Sequence, residues 1–145
     1  MPRVFHSAIL KPSPDQVWQV LRDFGGVHRW LPGIDRCDVE NGQQGDQVGA
    51  VRHLVTRDGS RFRERLLALS DYDLTLAYAI IEAPLPVSDH LAEIRVIPVT
   101  EGGGSFVAWA AEFACPDGDH DRVTRFMLDE VIRPGLAALE RGLAA

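Results

Sequence analysis

Between Arg3 and Ala114, apolar and polar positions alternate in short runs separated by Pro, Gly, Asn and Asp. A period of two places successive side chains on opposite faces of a strand. The pattern predicts strands at Arg3–Leu10, Ile34–Glu40, Val48–Arg57, Arg61–Leu69, Leu74–Ile81, Leu91–Val99 and Ser105–Ala114. Helical spacing interrupts this alternation early. Ser13 is a good N-cap, Pro14 suits the first helical position, and Val17, Trp18, Leu21 and Phe24 follow on one face. Gly25–Gly26 ends that helix near Asp23, and a second short one runs from Val27 to Leu31. A period near 3.6 then dominates His120–Gly142, where Val123, Phe126, Met127, Val131, Leu136 and Leu139 share a side.

Strands joined by short turns imply an antiparallel sheet. Such a sheet buries one face, and the terminal helix is the element long enough to cover it. The expected fold class is therefore α+β: seven strands curved around a long C-terminal helix, with two short helices after the first strand. Pro134–Gly135 lies inside the helix and predicts a kink or local unwinding there, with the helix resuming from Leu136. Asp58–Gly59 predicts a tight hairpin. Pairing Arg57 with Ser60 around it sets Arg52 opposite Arg65, with Glu64 diagonal to Arg52.

Composition narrows the function. With 145 residues, 46% apolar and 25% charged, the chain fits one domain, 1–145, with an ordinary core. A formal charge of −6 and a single lysine, Lys11, argue against nucleic acid and anionic membranes as partners. No run has the length of a signal sequence or a spanning helix, so a cytoplasmic protein without membrane insertion is expected. Cys37 and Cys115 lie far apart and read as free thiols. The five histidines lack ligand spacing, and the Gly102–Gly104 run lacks the lysine and helix of a phosphate loop. No metal or cofactor is expected. Nothing here sets the oligomeric state.

A Pro-initiated helix with Val17–Trp18, then WLPGI, VGAVR, RERLLALSD and PLPV, and finally a Trp-bearing strand before a long helix, form a recognisable order. This order, over essentially the whole chain, resembles the SRPBCC or START-like superfamily. Its members include polyketide cyclase/dehydrase-like and birch-pollen-allergen-like proteins. The nearest branch holds the plant abscisic acid receptors and lachrymatory-factor synthase. The resemblance implies a helix-grip fold with an apolar cavity between sheet and helix. It also implies that Arg52 of G-x-V-R and Glu64 of E-R-L face that cavity. A third polar position, usually tyrosine, falls on His90, and a pocket position that holds a carboxylate in the receptors falls on Trp109. The receptors' ligand-binding lysine has no match, so their hormone is not expected.

Each candidate carries two readings. Arg52 could hold a ligand oxygen or stabilise an oxyanion, or lie on the solvated face. Glu64 could act as a general base or form a structural pair with Arg52. His90 could be an acid/base near neutral pH or merely solvated. Tyr78 could donate to a ligand or pack in the core. Leu54, Ile94, Trp109, Phe126 and Met127 are expected to line the pocket, with Glu130 on the helix wall. Trp18, Trp30 and Phe62 could join them. Pro84, Leu85, Pro86 and Val87 form a stiff loop expected to act as a lid. The expected function is binding of a small, mostly apolar molecule with an oxygenated end. The alternative is a cyclase, dehydratase or isomerase using Glu64 or His90 as acid/base, with Arg52 on an oxyanion.

Overall fold

The computed structural model describes residues 1–143. Seven strands form a single antiparallel sheet in the order β1-β7-β6-β5-β4-β3-β2. They are β1 (Arg3–Leu10), β2 (Ile34–Val39), β3 (Val51–Thr56), β4 (Arg61–Ser70), β5 (Thr75–Glu82), β6 (Ser88–Pro98) and β7 (Ser105–Ala114). The expected α+β helix-grip architecture is present. One face of the sheet is buried, as the alternation of buried and exposed residues along β6 and β7 shows.

The helix α1 (Pro14–Leu21) begins as its sequence dictates. The Ser13 hydroxyl accepts from the Gln16 amide, and the Gln16 side chain accepts from the Ser13 amide. Val17, Trp18 and Leu21 are buried. The second short helix is a 3-10 turn at Phe24–Arg29, somewhat earlier than the Val27–Leu31 expected. The Trp18 indole donates to Asp71 at 2.7 Å, so Trp18 ties α1 to the β4–β5 turn.

The C-terminal helix unwinds locally, ahead of Pro134–Gly135 rather than at it. It comprises α2 (His120–Arg125), a π-helical stretch (Phe126–Ile132) and α3 (Arg133–Leu143). No break occurs at Pro134–Gly135; the helix widens ahead of it, and the Arg133 amide bonds back five residues to Leu128. Proline cannot donate to the carbonyl four residues earlier, here that of Glu130, and its ring crowds that carbonyl. Widening relieves the crowding without breaking the helix. Gly135 has a separate role. A β-carbon there would come within 2.9 Å of both Leu31 Cδ1 and Trp109 Cζ3, so glycine permits the close approach of helix to sheet.

The β3–β4 hairpin also differs by one residue. Thr56 pairs with Ser60, and Arg57, Asp58 and Gly59 form the loop, with Gly59 at φ +88°. The Thr56 hydroxyl and the Ser60 amide both donate to Asp58. A three-residue loop with a left-handed third residue is a favoured hairpin. It places Glu64 directly opposite Arg52, rather than diagonal to it.

Candidate functional site

The register of the sheet assembles the polar groups. Arg52 on β3 faces Glu64 on β4, Glu64 faces Ile80 on β5, and the Ile80 amide donates to His90 Nδ1 on β6 at 2.9 Å. Arg52, Glu64 and His90 therefore lie in one row across four strands, and all three are buried. One row further along, Leu66 faces Tyr78 and Tyr78 faces Ala92. The next row holds Leu76, Ile94 and Trp109.

Arg52 is held on three sides. Its Nε and Nη2 both meet Glu64 Oε1, at 2.8 and 2.6 Å, and Nη1 donates to the Phe24 carbonyl at 3.0 Å. The guanidinium carbon stands 3.8 Å from the Phe24 ring centre and 5.1 Å from that of Tyr78. An arginine between aromatic faces gains cation–π attraction that partly replaces lost water. Both guanidinium nitrogens bind the same carboxylate oxygen. No described residue donates to the other oxygen, Glu64 Oε2.

His90 is turned inward by its backbone. Asp89 adopts φ 51°, and the β6–β7 register slips between Ser88 and Leu91. This bulge aims the imidazole at the cavity and lets Nδ1 replace a ladder acceptor for Ile80. An accepting Nδ1 fixes the neutral tautomer with its proton on Nε2. Burial pushes the imidazole down to about 4. At neutral pH His90 is thus an uncharged donor through Nε2.

A pH dependence of stability follows. Unfolded, His90 takes its proton near pH 6.5; folded, it resists protonation down to about 4. Its stabilising contribution is complete above pH 6.5 and is lost as pH falls from 6.5 to 4, by an amount on the order of 3 kcal/mol. His90→Gln keeps an acceptor for Ile80 and cannot titrate. The difference in urea-unfolding stability between wild type and H90Q should shrink steadily over that window; a constant difference would rule out this role.

Tyr78 is fully engaged on one side. Its hydroxyl accepts from Trp109 Nε1 at 3.2 Å, leaving its own proton to donate. Burial, and then the Glu64 charge, raise its pKa well above the usual phenol value. The hydroxyl stays protonated. Burial likewise pushes the Cys37 thiol to about 11, so it is unreactive at neutral pH.

Arg52, Glu64, Tyr78 and His90 border a partly open cavity of about 570 Å³. Leu54, Phe62, Ile80, Trp109, Ala111 and Met127 supply apolar wall, Arg52, Glu64, Tyr78 and His90 a buried polar end, and Thr56, Arg57, Asp58 and Ser60 of the β3–β4 hairpin a second polar stretch. The widened helix contributes Phe126, Met127, Glu130, Val131 and Ile132. A π-helical turn brings more residues per turn to one side, which keeps Ile132 on the same wall. Phe126 packs at a tilt against Phe62, ring centres 6.4 Å apart. Of the four loop residues, Pro84 and Leu85 border the cavity, whereas Pro86 and Val87 do not.

Ile94 does not reach this cavity. It borders a separate space of about 10 Å³ beneath Trp109 and Tyr78, because it sits one row beyond Tyr78 on the sheet. Trp30 is there too, tilted against Trp109 with ring centres 6.1 Å apart. Leu31, Pro32 and Gly33, with Ile34 at the start of β2, also line the cavity; periodicity could not reveal the first three, which lie in a connection. Ile80 and Ala111 were legible, since each stands two residues from an inward-facing Tyr78 or Trp109. Among the described residues, no cluster of His, Cys, Asp and Glu has metal-binding geometry. No helix among them is long and apolar enough to cross a membrane.

A curved antiparallel sheet gripping a C-terminal helix, with a cavity between them, defines a helix-grip protein of the SRPBCC superfamily. The family described as polyketide cyclase/dehydrase and lipid transport matches residues 1–144, and the chain belongs to it. Solved structures agree along the whole length. The protein XoxI from Bacillus cereus is 30% identical, with a TM-score of 0.88, covering 99% of this chain and 96% of its own. An uncharacterized protein from Bacillus thuringiensis is 29% identical, with a TM-score of 0.82, covering 99% and 100%. A protein from Thermobifida fusca is 25% identical, with a TM-score of 0.87, covering 99% and 94%.

Proposed function

We propose that the protein binds a small, mostly apolar molecule whose oxygenated end is uncharged. One observation carries this reading: a cavity of ligand size, apolar over most of its wall, with Arg52 already neutralised by Glu64 at its polar end. At this end Tyr78 O–H, His90 Nε2–H and the remaining N–H groups of Arg52 can donate to the ligand, and Glu64 Oε2 can accept. They suit a carbonyl together with a hydroxyl. A ligand carboxylate would meet Glu64 Oε2, and in a low-dielectric site that repulsion is poorly screened. The family's association with lipid transport supports an apolar cargo. Pro84 and Leu85 at the rim support a lid formed by the loop that continues through Pro86 and Val87.

A matched series tests the charge preference: a medium-chain hydroxyketone, alcohol and carboxylate of equal length, titrated by calorimetry at pH 7. The hydroxyketone should bind at least about tenfold tighter than the carboxylate. Preference for the carboxylate would overturn the reading.

A second reading is favoured by the free Glu64 Oε2 and a neutral His90 on the wall of one cavity. Glu64 could take a proton from an enolisable substrate, while His90 Nε2–H and the N–H groups of Arg52 not used by Glu64 and Phe24 donate to the developing oxyanion. Glu64→Gln separates the two. Binding should persist with modest loss, whereas turnover of a polyketide-like substrate should fall by roughly two to four orders of magnitude.

A further inference from the structure

The two edges of the sheet are built differently. β2 is short, slips register between Ile34 and Arg36, and carries Asp35, Arg36 and Asp38. Short length, a bulge and charge are devices that keep an edge strand from pairing with another chain. β1 has none of these. It runs eight residues in unbroken register with β7, without proline, and its one charged residue is Arg3 at the start. Phe5 and Ile9 stand on its outer face, 50% and 63% exposed.

The backbone of β1 is half-used. The Pro2 carbonyl accepts from the Phe113 amide. Hydrogen-bonded pairs alternate along an antiparallel ladder, so the even residues of β1 turn their backbone groups toward β7. Arg3, Phe5, Ser7 and Ile9 turn theirs to the free edge. No turn, loop or side-chain hydrogen bond of the described residues reaches them there.

We propose that β1 pairs antiparallel with β1 of a second copy of this chain, about a two-fold axis through Ser7. Two seven-stranded sheets would then join into one. In this register the outward groups of Ser7 bond the partner's Ser7, and those of Phe5 bond the partner's Ile9. Three hydrogen-bonded pairs give about six backbone bonds. On the outer face Phe5 lies beside the partner's Ile9, an aromatic–β-branched pair of the kind that stabilises neighbouring strands. Shifting the axis by one residue sets Phe5 or Ile9 against the partner's Ser7 and loses the match. The strand is thus complementary to itself, which points to a second copy rather than to an unrelated strand. The apolar row continues inward through Phe106 and Ile97, which follow Ile9 across β7 and β6. At the ends, Arg3 approaches the partner's Lys11. There Glu140 supplies a carboxylate, since it accepts from the Lys11 amide of its own chain at 3.1 Å.

Sedimentation equilibrium between about 5 and 500 µM tests this on the full chain. Wild type should move from monomer to dimer. Ser7→Pro deletes an outward N–H and spares the ladder to β7, a position where an edge strand tolerates proline. Ile9→Lys alters only an exposed side chain. Each should weaken association at least about tenfold, with unchanged circular dichroism. Should Ser7→Pro disturb folding, Ile9→Lys alone decides. Amide exchange at Phe5, Ser7 and Ile9 should also slow as concentration rises. A wild type that stays monomeric throughout, a dimer indifferent to Ile9→Lys, or exchange independent of concentration would each overturn the proposal.

Discussion

Replacing Arg52 by Met should lower folding stability by about 3–5 kcal/mol, while Arg52→Met combined with Glu64→Leu should recover most of that loss. The expectation rests on what each change leaves behind. In the single variant Glu64 keeps its place in the wall without the two guanidinium contacts to Oε1. The Phe24 carbonyl also loses its donor. A buried charge stripped of its partner is costly, whereas a buried pair exchanged for apolar groups of similar volume is often neutral. The pair therefore contributes little net stability. Urea unfolding of the two singles and the double gives the coupling directly. A single variant costing under about 1 kcal/mol would mean that Arg52 is far better solvated than its burial implies.

The second large effect concerns the cavity itself. Ala111 is buried, borders the cavity and stands two residues from Trp109 on β7. Ala111→Phe projects a ring into the ligand space and leaves the ladder intact. Ligand affinity should fall by at least about a hundredfold. Stability should change by less than about 1.5 kcal/mol, because the ring enters existing space rather than a packed core. Calorimetric titration of wild type and A111F with the same hydroxyketone reads this effect. Unchanged affinity would place the ligand elsewhere.

Much of this architecture was readable before any coordinates. The alternation in Ser105–Ala114 and the run of apolar positions after His120 marked the last strand and the covering helix, and Ser13–Pro14 marked the start of α1. Resemblance brought Arg52, Glu64 and His90 to one cavity, and the register now places them in a single row. Three features escaped for physical reasons. The hairpin at Asp58–Gly59 admits two-residue and three-residue loops with the same glycine, and the choice shifts Glu64 by one position. The inward turn of His90 depends on Asp89 in a left-handed conformation, which its side chain tolerates but does not announce. The π-helical widening arises from crowding at Pro134 and is felt a turn earlier, where the residues themselves are ordinary helix formers. Ile94 was assigned to the cavity from its apolar character, and a single row of register separates it from the wall.

The central claim is that this cavity is occupied by an uncharged, largely apolar molecule. Native mass spectrometry of freshly purified wild type, beside Ala111→Phe prepared identically, tests it most directly. Wild type should carry a non-covalent adduct of drug-like size that is released on denaturation and contains a carbonyl or hydroxyl but no ionised group. A111F should lack it. An adduct present equally in both proteins, or a released molecule bearing a carboxylate or phosphate at its polar end, would contradict the account.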